Sequence, residues 1–392
     1  MKRKKTKSRA LSILFVFSFG TAVLVFVCFW FINGEGNPPI PVFEEAYSGG
    51  GKLSGVIRKI DLSIYDVLYQ SGIPEKNVVF QGVDPRDRGK QHWEFTRLLV
   101  RCPDEARARG LLGKIRKALF PLKHEVSIRK EKSTGRAFSF SILANGLPTH
   151  RVLLSFGAFF PTPKKHRARI ALIIDDLGYD PGLAREFMEL KIPVTLSVLP
   201  CAPFTNRIAA EARKRGCVLM VHLPMEPKRY PAVNPGPGTL YTAMDAEQIL
   251  HQLSEDLDQV PGARGVNNHM GSLFTEDRDK MTVVLEALKH RHLFFVDSRT
   301  TAESVGYDLA RKMGIPTAKR SVFLDNDLHP EAIESQLRRL LNMARHKGWA
   351  IGIGHPHKET LRLLKNNLPA LQDGVDIVSV TKLLTRISHG PS

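Results

Sequence analysis

The sequence predicts an α/β chain: a (β/α) barrel of seven or eight units over residues 169–384, a small α+β domain over 53–160 before it, and a transmembrane helix at the N-terminus. Three observations carry this. From Arg169 onward short apolar runs alternate with helical stretches, as in a parallel sheet. Ahead of them, helix and strand periods mix around an Asn145-Gly146 turn signal. Earlier still, Leu11 to Ile32 is an uncharged run of 22 residues, long enough to span a bilayer.

Residues 1–10, MKRKKTKSRA, hold six Lys or Arg and no acid, and read as a basic cytoplasmic tail. A cleaved signal peptide is the competing reading, but its apolar core is only about 7–15 residues long. The run here ends in Cys28-Phe-Trp-Phe-Ile32, which suits an interfacial anchor. Basic residues before the span, with Glu35, Glu44 and Glu45 after it, keep the N-terminus in the cytoplasm. The expected protein is single-pass in the inner (cytoplasmic) membrane, with the remainder extracytoplasmic, in the periplasm.

Residues 33–52, rich in Gly and Pro, read as a flexible linker. In the small domain, Ile57, Ile60, Ile64, Val67 and Leu68 recur at helical spacing, and HWEFTRLLVRC (92–102) reads as a strand. CPDEARARGLLGKIRKAL supplies a second helix, and FSFSILANGLPTHRVLLSF two strands about the turn. No catalytic constellation stands out there. Pro161 to Arg167 is the breaker cluster that ends the domain.

Composition is ordinary for a globular chain of 392 residues, with 43% apolar and 24% charged residues. The formal charge of +18 is partly the tail and otherwise scattered, with no basic-aromatic motif, so no nucleic-acid partner is expected. Beyond Cys28 in the span, Cys102, Cys201 and Cys217 are an odd number and read as small buried side chains rather than a disulfide framework.

The barrel strands are ARIALIID, IPVTLSVLP, GCVLMVHLP, ARGVNNH, LFFVDS, RSVFLD, WAIGIGH and VDIVSV. Asp175-Asp176, His222, His269, Asp297, Asp325 and His355 each fall at or just after the C-terminal end of such a run. In a barrel those ends share one mouth, where active sites are built. An acid ending a strand is often only a helix N-cap, but capping does not select His three times. A carboxylate with two imidazoles is a ligand set for a catalytic divalent metal. Neighbouring strand residues point to opposite faces, so Asp175 and Asp176 both reach the mouth only if the strand breaks, which Gly178 allows. One acid can then bind metal while the other holds or deprotonates the water.

His269, in the polar cluster Asn267-Asn268-His269, is read as the third metal ligand. Glu226 lies four residues after His222, but Pro224 and Pro227 oppose a helical pair there, so it is a secondary candidate. Of His355 and His357, only one is needed as a general acid. Asn268, Asp297, Arg299 and Asp325 are candidates for holding substrate or orienting ligands, with Arg320 and Asn326 beside them. His290, His292, His329 and His346 lie away from the mouth and receive no role.

The segments IIDDLG, VHLPMEP, NNHMGS, DSRTT, SVFLDN and IGIGHPH, in this order, resemble the divergent polysaccharide deacetylase family, a branch of the NodB-like carbohydrate esterases. The resemblance covers about Arg169 to Leu384. It implies an irregular (β/α) barrel, a divalent metal with zinc the expected ion, and hydrolysis of acyl groups on an envelope polysaccharide. It also implies Asp175 as general base and Asp176 and His222 as metal ligands; the mechanism expected from the residues then has His355 protonating the leaving group. NodB enzymes draw both histidine ligands from an HxxxH motif, and here the second position is Glu226, with His269 as the replacement. Their Arg-containing third motif is not evident. The rival reading is a deacetylase-like barrel without activity that binds a glycan or a protein. A metal-dependent hydrolase of phosphoesters or peptides is a third, and the lack of a second acid cluster disfavours a two-metal site.

Overall fold

The computed structural model describes residues 52–157 except 90, and residues 167–389 except 373. Leu11 to Ile32, with the expected anchor, lie outside them; no helix among the described residues is long and apolar enough to cross a membrane.

Helix α1 (Lys52–Gln70) buries Val56, Ile60, Ile64, Val67 and Leu68 on one face. Val56 takes the place the periodicity assigns to Ile57, which is half-buried. Helix α2 (Glu105–Leu119) begins where Asp104 accepts the amide of Arg107, and it buries Ala108, Leu111, Leu112, Ile115 and Leu119 at three- and four-residue spacing. Both helices pack on a five-stranded sheet built from β1 (Val78–Arg88), β2 (Gln91–Cys102), β3 (Val126–Thr134), β4 (Ala137–Ala144) and β5 (Leu147–Phe156). Its order is β1-β2-β5-β4-β3, with β2 and β5 parallel and the other neighbours antiparallel. Asn145 and Gly146 turn with φ of 49° and 79°, as a two-residue hairpin requires. Strands β1 and β3 are absent from the sequence reading because they are the sheet edges. Edge strands tolerate Pro and charge, and VVFQGVDPRDR and VSIRKEKST carry both or one of these.

The second sheet is parallel throughout. Its strands are β6 (Ala168–Leu177), β7 (Val194–Val198), β8 (Val218–Met225), β9 (Gly265–Met270), β10 (Phe294–Asp297), β11 (Thr317–Lys319), β12 (Val322–Phe323), β13 (Trp349–Gly354) and β14 (Val375–Ile377). The order is β11-β10-β9-β8-β7-β6-β13-β12, and β14 pairs with the start of β6. The sheet curls until its two edges are consecutive pieces of chain. Arg320 N donates to Asp297 O on the β10 side, and Ser321 N donates to Ile351 O on the β13 side. Helices α3 (Pro181–Met188), α4 (Thr205–Lys214), α5 (Ala246–Asp258), α6 (Arg278–His290), α7 (Gly306–Lys312), α8 (Pro330–Lys347) and α9 (Lys358–Gln372) alternate with these strands. The last helix, α10 (Val380–His389), follows β14.

Strand parity divides the core in two. Ala171 and Ile173, Met220, Phe294 and Val296, Phe323, Ile351 and Ile353 form the concave cluster, joined by Val380, Leu383 and Leu384 of α10. Their neighbours Ile170, Leu172, Ile174, Leu219, Val221, Phe295 and Leu324 belong to the cluster under the helices. Asp175, His222, Asn267, His269, Asp325 and His355 all continue the concave parity at the C-terminal ends of their strands. Asn268 and Asp297 continue the convex one.

The two sheets meet at α8. Asn342 donates to Val78 O at 2.7 Å and accepts from Phe80 N at 3.2 Å, satisfying the β1 edge. Arg58 of α1 pairs with Asp327 at 3.1 Å.

Candidate active site

The break that the paired acids require occurs at Asp176, whose φ is +52°. Pairing of β6 with β7 slips between Ile174 and Leu177 at this point. Asp175 keeps the inward direction its parity dictates, and the left-handed turn swings Asp176 inward as well. Gly178 follows at φ +152°, where a Cβ would lie 2.5 Å from that of Ala202. Only glycine permits that approach.

Asp176, His222 and His269 converge from three strands, all buried. Asp176 Oδ1 lies 2.9 Å from His222 Nε2 and 2.9 Å from His269 Nδ1, and the two imidazole nitrogens are 3.1 Å apart. Asn267 determines what these atoms are. Its amide nitrogen donates to both oxygens of Asp175 at 3.0 and 2.8 Å, because a carboxylate can only accept. Its carbonyl oxygen is therefore left to accept from Ser197 Oγ at 2.5 Å and from His222 Nδ1 at 3.0 Å. With the proton on Nδ1, His222 presents a lone pair at Nε2. Both Asp176 oxygens are buried and accept no hydrogen bond. The lone pair of His222 Nε2 and the Asp176 carboxylate thus face each other at contact distance. Burial by itself pushes the Asp176 carboxyl up, but positive charge and hydrogen bonds from the two histidines, when they are protonated, hold the group well below the usual carboxylate range; a bound cation would act in the same direction.

Such a trio fits a cation. Among the described residues, these three form the group whose ligand atoms all lie within 4.8 Å of one another.

His355 faces the trio from β13, its Nε2 4.0 Å from Asp176 Oδ2. Its Nδ1 donates to Asp325 Oδ1 at 2.7 Å, and its backbone N donates to Oδ2 at 2.7 Å. Thr360 Oγ1 donates to the same Oδ2 at 2.5 Å. Burial pushes the Asp325 carboxyl up, but His355 and these hydrogen bonds bring it below its usual value, so it stays ionised. Gly354 makes room for this: a Cβ there would crowd Thr360 at 3.1 Å and Asp325 at 3.3 Å. His357 stands beside this pair, ring centroids 6.3 Å apart, and burial lowers its pKa.

The remaining candidates are placed elsewhere. Glu226 Oε2 accepts from Thr242 N at 2.7 Å and Thr242 Oγ1 at 2.6 Å, bracing the chain after β8. Asn268, on the convex parity, accepts from Ser298 N at 2.9 Å and donates to Met270 O at 2.8 Å. Asp297, also convex, accepts from Arg299 N, Ser304 Oγ and Tyr307 N at 2.8, 2.7 and 3.0 Å. The Arg299 guanidinium is directed to the carbonyls of Ala302 and Ser304 in its own loop. Arg320 donates to Ser298 O and Arg299 O and lies 3.6 Å over the Phe323 ring. These groups shape the loop after β10, one step behind the trio. Asn267, Ser197 and Ser298 are the residues that sequence reasoning passed over. Parity would have found Asn267, two positions before His269 on the same face. The three cysteines among the described residues are free: Cys102 is buried as expected, but Cys217 is only half-buried and Cys201, in a left-handed turn after β7, is exposed.

A family model for divergent polysaccharide deacetylases matches residues 172–384, and the chain belongs to that family. The uncharacterised protein YibQ of Escherichia coli is 32% identical over 238 residues, covering 60% of this chain and 74% of its own. An uncharacterised protein of Haemophilus influenzae is 32% identical over 217 residues, covering 55% of this chain and 77% of its own. Among solved structures, an uncharacterised protein of Agrobacterium tumefaciens superposes with a TM-score of 0.53 at 26% identity, over 57% of this chain and 92% of that one. The superposition covers the curled α/β part of the chain. A family of this kind acts on polysaccharides.

Proposed function

We propose that the protein is a metal-dependent deacetylase that removes N- or O-acyl groups from an envelope polysaccharide while anchored in the inner membrane by Leu11 to Ile32. The observation that carries this is the trio of buried acceptors. An acid and two imidazoles within 3.1 Å, with the Asp176 oxygens lacking hydrogen donors, call for a positive charge among them. Asp176, His222 and His269 would hold the ion, and the mixed nitrogen and oxygen set suits zinc. When bound, a divalent ion supplies Lewis-acid polarisation of the acyl carbonyl.

The chain's own groups do the rest. Asp175 is fully buried and oriented through both oxygens by Asn267, which suits it to take a proton from the attacking water. The same Asn267 keeps the His222 proton on Nδ1, away from the trio. His355 protonates the departing amine or hydroxyl from Nε2, and ionised Asp325 steadies its imidazolium from the other side. The basic tail and apolar run support a periplasmic location for the remainder, and a periplasm-dependent reporter fused after residue 45 should then be active.

The deciding test is metal analysis of the purified protein beside the His222→Ala/His269→Ala double variant, with acyl release from glycans measured on both. About one divalent ion per chain, lost with activity in the variant, supports the reading. If neither protein holds metal after zinc loading, the concave site is not a metallohydrolase centre.

A further inference from the structure

The stretch between β8 and α5 is 20 residues without helix or strand, yet it is braced along its length. Glu226 N donates to Leu240 O and Leu240 N to Pro224 O, closing its base. Lys228 N donates to Ser272 Oγ at 3.0 Å, the Lys228 ammonium pairs with Glu276 at 2.6 Å, and Thr239 Oγ1 donates to Gly236 O at 2.6 Å. Lys280 of α6 donates to Met244 O. This rigid excursion forms one wall of a cleft of about 410 Å³ lined by Glu226, Tyr230, Tyr241, Ala243, Met244 and Gln248.

The chemistry of that lining is specific. The Tyr230 and Tyr241 rings pack at 5.1 Å between centroids and 58° between planes, with Tyr230 40% exposed. An aromatic pair of one exposed and one half-buried ring, held by a braced loop, costs little entropy to use on binding. The lining contains no Lys or Arg, and the Glu226 carboxylate is already taken by Thr242. The Lys280 ammonium behind Met244 is held by that residue's carbonyl, so an anion would meet no Lys or Arg in the lining itself. Lipid is disfavoured as well, because hydroxyls and an amide border the rings. A flat ring with an apolar C–H face and hydroxyls around its edge matches both features: the face lies on a tyrosine, and the rim meets the phenols and Gln248. Burial and the link to Tyr230 push the Tyr241 phenol up, so it remains a neutral hydrogen-bonding group.

We infer that this cleft is a subsite for a neutral pyranose of a glycan chain, stacked on Tyr230 and Tyr241. It deepens the deacetylase reading and rests on it for the substrate class. Glu226 follows β8 four residues after His222, about 13 Å along an extended chain. The cleft is thus set at the end of the strand that carries His222, on the same side of the sheet as the loops around the trio.

The test uses the full chain in detergent, in the His222→Ala/His269→Ala background, so that binding is read without turnover. The probe is a neutral N-acetylated hexosaccharide, titrated by calorimetry and compared with inorganic phosphate. The hexosaccharide should bind and phosphate should not. Tyr230→Ala should weaken binding about tenfold or more, and Tyr230→Phe should retain most of it, with both variants melting at the parent temperature. If Tyr230→Ala proves unstable, Tyr241→Phe and Gln248→Ala supply the same comparison through the rim. Undiminished binding in the rim and Tyr230 variants, or no hexosaccharide binding at millimolar concentration, overturns the subsite. Absence of metal or acyl release in the unmodified protein would sink the hydrolase reading and leave this binding result standing.

Discussion

Two buried clusters of the molecule combine an aspartate with histidine, and they behave in opposite ways. Where α1 meets α8, Asp61 accepts from Arg339 at 2.8 Å and from His150 Nε2 at 3.1 Å, and His150 Nδ1 lies 2.9 Å from Thr149 Oγ1. Burial pushes the Asp61 carboxyl up, but Arg339 and His150 pull it below its ordinary value. Glu94 sits in the same buried environment, 3.5 Å from Arg320, and there burial prevails and raises the carboxyl. The chain supplies this cluster with its own cations. In the concave site Asp176 is buried beside two imidazoles, the proton of His222 is turned to Asn267, and the Asp176 oxygens have no hydrogen-bond partner. Burial and residue type are shared by the two regions; the missing donors separate a structural ion pair from a ligand site.

The largest effect should come from the groups that move protons. Asp175→Asn and His355→Ala should each lower turnover by about 10²- to 10⁴-fold with metal content unchanged. Acyl release and metal analysis on the same samples check this, and loss of metal in either variant would redraw the boundary of the site. Arg339→Ala should break the other cluster. Leaving half-buried Asp61 without its cation costs on the order of 1–3 kcal/mol, read by urea denaturation, while metal content stays as it was. The Asp61 contribution is present above the unfolded carboxylate pKa of 3.8 and is lost as pH falls through its lower folded value.

Asp256 sharpens the comparison as a buried acid with neither arginine nor histidine beside it. Gln252 donates to Oδ1 at 3.1 Å, and burial raises the carboxyl to about 7. The folded protein therefore keeps a proton that the unfolded chain releases from about pH 4 upward. Stability falls as pH rises from about 4 to about 7 and is flat above. Asp256→Asn should remove that slope and raise stability at pH 8 by up to about 4 kcal/mol, checked by denaturation at pH 4 and pH 8. The smallest effect concerns Asn267→Ala. With the proton of His222 no longer held on Nδ1, metal affinity should fall about 10- to 100-fold without loss of the fold, as chelator competition would show.

Much of the second sheet was legible because its strands are buried on both faces and read as short continuous apolar runs. Strand β11, three residues long, carries no such run and was absent from the reading, as were the edge strands β1 and β3. Of the site, His222, His269 and His355 were visible as polar residues ending apolar strands. Asn268 was chosen where Asn267 is the residue beside the trio, and Asp297 was grouped with the mouth although its parity turns it toward the helices. The tyrosine cleft left no sign in the sequence, because an irregular loop has no period to read.

The sequence by itself determined the direction of each side chain relative to its own strand, since alternation is a property of the local backbone. It also determined the membrane-length run and the family motifs. Only the tertiary structure decided which inward side chains become neighbours. Asp325 meets His355 because the curl of the sheet sets β12 beside β13, and Arg339 meets Asp61 because α8 packs against the first sheet's helix. The reversal of Asp176 by its positive φ belongs to the same class: it depends on the slip between β6 and β7, a relation between strands that no single strand encodes.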